Sequence, residues 1–200
     1  MTREPVPDFY DDLNGSMVHA WRTLVRGVAD RRSPCHAPTV ATIGSDGRPR
    51  LRTVILRGAD PENWTLRFHT DRRSDKVTEL ATDSRISLLA YDPGAKIQIR
   101  VEGVATVHTD DAVADAAWGA SRSFSQICYG STPAPGQAIA NGGAFSLPVA
   151  LDDVAQGRAN FAAVQMSVTS LEWLFLAHAG HRRARYTRTA LEIESVWLAP

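Results

Sequence analysis

The sequence predicts an α+β fold whose sheet is an antiparallel β-barrel, closed or partly closed. Three observations carry that reading. Short runs rich in β-branched and aromatic residues alternate apolar with polar positions, the period-two pattern of strands with one buried face. Turn signals such as Ser45-Asp46-Gly47-Arg48 and Asp92-Pro93-Gly94 separate the runs, with connections short enough for antiparallel neighbours. Helical periodicity is confined to a few stretches between the strands. No repeat, low-complexity tract or linker divides the 200 residues, so one domain over residues 1–200 is expected.

In chain order, Phe9, Leu13, Met17, Trp21 and Val25 recur near every fourth position, which predicts a helix from Asp8 to about Asp30. Asn14-Gly15 is expected to split it. Pro38 to Gly44 begins the sheet. Leu51 to Arg57 reads as a strand that Gly58, Asp60, Pro61 and Asn63 end, and Trp64 to His69 as the next. Ser74 is placed to cap a short helix through Leu80. Arg85 to Tyr91 and Lys96 to His108 follow as strands; Gln98, Arg100 and Glu102 share one face of the latter, and Gly103 marks a bulge. Asp111 and its neighbours cap a helix to about Ala120. Ser121 to Leu147, dense in Gly, Pro, Ser and Asn, reads as a functional loop. Asp152 to Ala159 is a short helix, and Phe161 to Ser170 with Glu172 to His178 a strand pair. Arg182 to Arg188 and Val196 to Leu198 complete about eight strands.

Composition narrows the function. Lys and Arg number 22, as do Asp and Glu, so no global field draws nucleic acid or a membrane. No apolar run approaches the roughly 20 residues of a membrane span. The start, MTREPVPDFYDD, lacks the apolar region of a signal peptide. Cys35 and Cys128 are too few for a disulfide framework, and the scattered histidines lack metal-ligand spacing, so no metal is expected. A soluble, reduced, cytoplasmic protein is expected. There is no GxGxxG after a strand, no Walker loop and no GxSxG elbow, which removes the commonest nucleotide and hydrolase readings.

Polar groups crowd one stretch. Arg52, Arg57, His69, Thr70, Ser74 and Lys76 would converge if their strands paired antiparallel, and the following helix would add free N–H groups. That combination suits a phosphate. The competing reading is a hairpin with solvated basic residues.

Arg52-Thr53-Val54-Ile55-Leu56-Arg57, then Phe68-His69-Thr70, then Ser74-Asp75-Lys76 resembles the flavin-binding core of the pyridoxamine 5'-phosphate oxidase family. Arg85 to Leu89, Gln98 to Gly103 and His181-Arg182-Arg183-Ala184-Arg185-Tyr186 resemble later segments in the family's order. The resemblance implies an FMN-binding split barrel, normally a homodimer with FMN at the interface. It implies that Arg52, Ser74 and Lys76 hold the FMN phosphate, and that the backbone of Thr53, Val54 and Ile55 lies along the ring. Arg57 would stand near the pyrimidine side or the substrate, and His69 and Thr70 near the ribityl phosphate. Gln98 and Arg183 would bond ring or chain, some from the second subunit, and Phe161 stands where the oxidases usually carry a tryptophan. His181, Arg122 and Ser125 are the implied catalytic and substrate-binding residues, for a small and possibly phosphorylated substrate.

There are departures from the family pattern. Ala179 replaces an arginine, Arg182 an aspartate and Trp118 a tyrosine, so the phenol hydroxyl is lost. An FMN-dependent oxidoreductase is the leading expectation; a flavin-binding protein for storage, sensing or electron transfer is the alternative. A split barrel using deazaflavin or haem suits the Arg52, Ser74 and Lys76 set less well.

Overall fold

A computed structural model describes residues 7–148, 154–178 and 180–200. Ala179 and the start of the expected 152–159 helix lie outside the described residues. The helix α1, Leu13–Ala29, begins later than expected, because Asp12 caps it by accepting the Asn14 N–H at 2.9 Å. Asn14 and Gly15 therefore form its first turn and do not split it.

The strands are β1 (Thr39–Ile43), β2 (Pro49–Thr53), β3 (Leu56–Asp60), β4 (Thr65–Asp71), β5 (Arg85–Asp92), β6 (Ile97–His108), β7 (Phe161–Phe175), β8 (Arg182–Arg188) and β9 (Ile193–Leu198). All pair antiparallel in the order β2-β1-β5-β6-β7-β4-β3, and β8 joins β7 to β9. The expected strand over Leu51 to Arg57 is two strands. β2 pairs with β1 and β3 with β4, and the chain crosses between these two edges at Val54-Ile55. That crossing marks the split of the barrel. The strand pair expected from Phe161 onward is one 15-residue strand. Its first half pairs with β4 and its second with β8, while β6 lies along the other side. Trp64 adopts a left-handed φ of 53°, so the β4 ladder starts one residue later than the alternation suggests.

Gly103 is required where it stands. The β6–β7 register slips between Glu102 and Gly103, and a Cβ at Gly103 would come within 2.1 Å of the Ser167 carbonyl oxygen. Gly47, at φ 77°, makes the β1–β2 turn.

The core lies inside the barrel and under α1. Trp173, Phe68, Leu66, Leu88 and Ile99 fill it, and Trp21 of α1 packs edge-on against Trp64, 5.7 Å between ring centres. Tyr186 fastens α1 to β8: its hydroxyl donates to the Leu13 carbonyl at 2.9 Å and lies 2.6 Å from Ser16 Oγ. The short helices α2 (Asp75–Thr82), α3 (Ala112–Gly119), α4 (Ser123–Gln126) and α5 (Val154–Gly157) occupy the connections. No helix among the described residues is long and apolar enough to cross a membrane.

Candidate functional site

Alternation along β4 decides which of the expected residues meet. Leu66, Phe68 and Thr70 turn to one face, Arg67 and His69 to the other. The six polar groups therefore form two clusters rather than one.

The first cluster is a cationic notch between β2, the end of β4 and α2. Lys76 Nζ donates to Thr70 Oγ1 at 2.9 Å and to Ser74 Oγ at 3.0 Å. Ser74 is the N-cap of α2, yet its hydroxyl caps no backbone N–H of that helix; it donates to the Asp71 carbonyl at 2.6 Å. The Val77 N–H bonds the Ser74 carbonyl at 2.9 Å, and the Asp75 and Lys76 amides, which the Ser74 side chain does not cap, are the ones an anion could take. Arg52 lies opposite, bonded to Thr42 Oγ1 and paired with Glu79 at 2.8 Å. Burial, and then the charge of Arg52, lowers the Lys76 pKa. Two cations held this close are what a phosphate group would neutralise. A cleft of about 270 Å³ lined by Arg50, Asp75, Thr78 and Glu79 runs beside this notch.

The second cluster surrounds His69. Its ring packs edge-on to Phe161, 4.9 Å between centres, and Ser121 Oγ lies 3.5 Å from Nδ1. His69 Nε2 is buried without a partner. Burial, then the charges of Arg67 and Arg57, pushes the imidazole down to about 4. Arg57 also acts on Tyr129, whose phenol burial raises to about 12. Phe161 itself is fully enclosed by His69, Trp118 and Tyr129. Within the single chain its ring supports the imidazole of His69 edge-on.

A third group lies on the outward face of the sheet. Gln98 and Arg183 flank Leu174, and in the next row Arg100 and Arg185 flank Glu172. That second row runs on through Leu89 and Thr39 to Thr53. Arg185 is thus five strands from Thr53, roughly 24 Å across the sheet.

The residues expected to be catalytic do not meet within one chain. Arg122 is exposed at the N-cap of α4, with Ser125 half-buried behind it. Gln126 Nε2 ties this helix to the Trp118 carbonyl, on the side of the Phe161 end of β7. His181 is exposed before β8, at the Phe175 end. The adjacent Arg182 is bound to Asp11 at 2.6 Å and lies over the Tyr10 ring. A groove of about 750 Å³ beside α1, lined by Met17, Trp21, Val25 and Ile193, lies apart from all these groups and is mainly apolar.

The sequence did not single out Glu79, Ser121, Tyr129 or Glu172. Glu79 was readable only as the residue three on from Lys76, one helical turn away. Glu172 depends on strand registers that no local pattern shows.

These features define a split barrel with a cationic notch fit for a phosphate. Residues 18–109 match the family model described as pyridoxamine 5'-phosphate oxidase, FMN-binding domain. Over that stretch the chain is similar to the pyridoxamine 5'-phosphate oxidase-like, FMN-binding family. It is 36% identical over 99 residues to a pyridoxine/pyridoxamine 5'-phosphate oxidase of Sphingopyxis alaskensis, covering 50% of this chain and 44% of that one. A namesake from Cupriavidus metallidurans is 40% identical over 81 residues, 40% of this chain and 37% of the relative. The chain therefore spans less than half the length of these curated relatives. Its structure is similar to a pyridoxamine 5'-phosphate oxidase-related, FMN-binding protein of Nostoc punctiforme, with a TM-score of 0.71 and 26% identity over 98% of this chain and 100% of that one. PhzG of Burkholderia lata shares the fold, with a TM-score of 0.70 and 22% identity over the whole of both chains.

Proposed function

We propose that the chain, acting as one domain, is an FMN-dependent oxidoreductase for a small molecule. The observation that carries this reading is the notch in which Lys76 is bonded to Thr70 and Ser74 beside Arg52 and the open end of α2. These groups fit the phosphate of FMN and would hold it by charge-assisted bonds. The ring would then lie along Thr53 to Ile55, where the backbone at Val54-Ile55 belongs to neither neighbouring ladder. Arg57 would stand at its pyrimidine side or against substrate, with His69 behind. Bound FMN supplies the two-electron chemistry.

Gln98, Arg183 and His181 would reach the site from a second subunit. Their distance from Thr53 and Lys76 within one chain supports a homodimer whose interface completes the pocket. Arg122 and Ser125 would then hold an anionic part of the substrate, and His181 would carry a proton. The cytoplasm is the proposed location.

A second reading, a flavin carrier without turnover, is favoured by Arg182. That side chain is committed to Asp11 and Tyr10 at the place where the oxidases carry an aspartate. The relatives' names make pyridoxamine 5'-phosphate the first substrate to try. The FMN-loaded protein would be mixed without oxygen with that compound and with reduced nicotinamide nucleotides. Bleaching of the flavin faster than that of free FMN is expected; bleaching no faster with any of them overturns the enzyme reading and leaves the carrier.

A further inference from the structure

Glu172 carries more arginine than a surface carboxylate needs. Its Oε1 accepts from Arg100 Nη2 at 2.7 Å and Arg185 Nε at 2.9 Å, and its Oε2 from Arg183 Nε at 3.0 Å and Nη2 at 2.7 Å. Exposed ion pairs contribute little, but Glu172 is 6% exposed although it points outward from the barrel. Three guanidinium groups, from β6 and β8, cover it. They repel one another, and Glu172 is the anion that all three share; Glu102 lies 3.6 Å from Arg100 alone.

The arrangement fixes Arg183 in particular. Two N–H groups of its fork, Nε and Nη2, grip one carboxylate oxygen, which sets the plane of the guanidinium and leaves Nη1 outside the grip, in the same outward row as Gln98 across Leu174. Burial pushes the Glu172 carboxyl up, but the bonds from Arg183 and Arg185 and the charge of Arg100 outweigh it, so the group stays ionised.

We propose that Glu172 is a positioning residue, the carboxylate that orients Arg183 toward the flavin from the sheet face. This rests on the reading of Arg183 as a flavin-binding residue given above. Glu172 touches neither cofactor nor substrate; it acts by removing the rotational freedom of Arg183 before binding.

A double-mutant cycle tests it. FMN affinity is measured by quenching of flavin fluorescence in the wild-type chain, Glu172→Gln, Arg183→Leu and the double variant, and the visible spectrum of bound FMN is recorded alongside. Each single substitution is expected to weaken FMN by about tenfold, on the scale of one bond to a charged group. The double variant should be no weaker than Arg183→Leu alone, and the two single variants should share one altered spectrum. Glu172→Asp, which keeps the charge, should recover part of the loss; it also serves if Glu172→Gln does not fold.

Multiplying losses in the double variant would overturn the proposal. So would an Arg183→Leu chain with wild-type affinity, or a Glu172 variant that unfolds more easily yet binds FMN normally. Failure of the wild-type chain to bind FMN would remove the flavin reading itself. Binding that depends on Lys76 but not on Glu172 removes this inference alone.

Discussion

Arg52 Nη2 lies 2.8 Å from Glu79 Oε2, and both side chains are largely shielded from water. Glu79 thus occupies the guanidinium that a phosphate would also engage. Glu79→Gln should strengthen FMN binding by about tenfold, because Arg52 no longer divides its bonds between two anions. The ligand-free protein should lose about 1–2 kcal/mol of stability, since a shielded cation is left without its partner. Titration with FMN and urea unfolding of the free chain check both signs; weaker FMN binding would mean that Glu79 helps the ligand rather than competing with it.

Lys76→Ala should weaken FMN by about 1.5–3 kcal/mol, the range for a bond to a charged group. Arg72→Ala should change affinity far less. Arg72 pairs with Asp110, whose carboxylate is well exposed, and such pairs contribute little. Parallel fluorescence titrations of the two variants check the contrast.

His69 should make stability depend on pH. Its folded value of about 4 lies below the unfolded value of 6.5, so the unfolded chain binds the extra proton between them. Stability contributed by the neutral imidazole is complete above pH 6.5 and is lost as pH falls to 4, by about 3 kcal/mol. Urea unfolding across that range should show the loss, and His69→Gln should flatten it.

Gly103→Ala should destabilise the fold by roughly 1–3 kcal/mol or more, because the added methyl meets the Ser167 carbonyl of the adjacent strand. The loss should appear in ligand-free protein by urea unfolding. An unchanged midpoint would mean that the β6–β7 bulge relaxes freely.

Local pattern made much of the fold legible. The alternation of Leu66 and Phe68 with Arg67 and His69 marked β4, Ser74 marked the start of α2, and Gly103 marked a bulge. Val54-Ile55 escaped because a crossing between two strand edges keeps the β-branched composition of a continuous strand. β7 was divided at Ser170-Leu171 because polar residues gather where it changes partner from β4 to β8, although the backbone stays extended. Thr70, Ser74 and Lys76 were readable together because one strand end and one helix turn bring them into contact. His69 was grouped with them by sequence neighbourhood, and strand alternation sends it to the other face. Glu172 meets Arg183 and Arg185 of the next strand and Arg100, 72 residues away, so only the registers assemble them.

The phosphate grip is tested most directly by comparing FMN with riboflavin, which has the same ring and ribityl chain but no phosphate. With Arg52 and Lys76 each bonding the phosphate as proposed, riboflavin should bind on the order of a hundredfold or more weaker than FMN. The gap should shrink in Lys76→Ala. Equal affinities for the two flavins in the wild-type chain would contradict a phosphate site at Arg52, Thr70, Ser74 and Lys76.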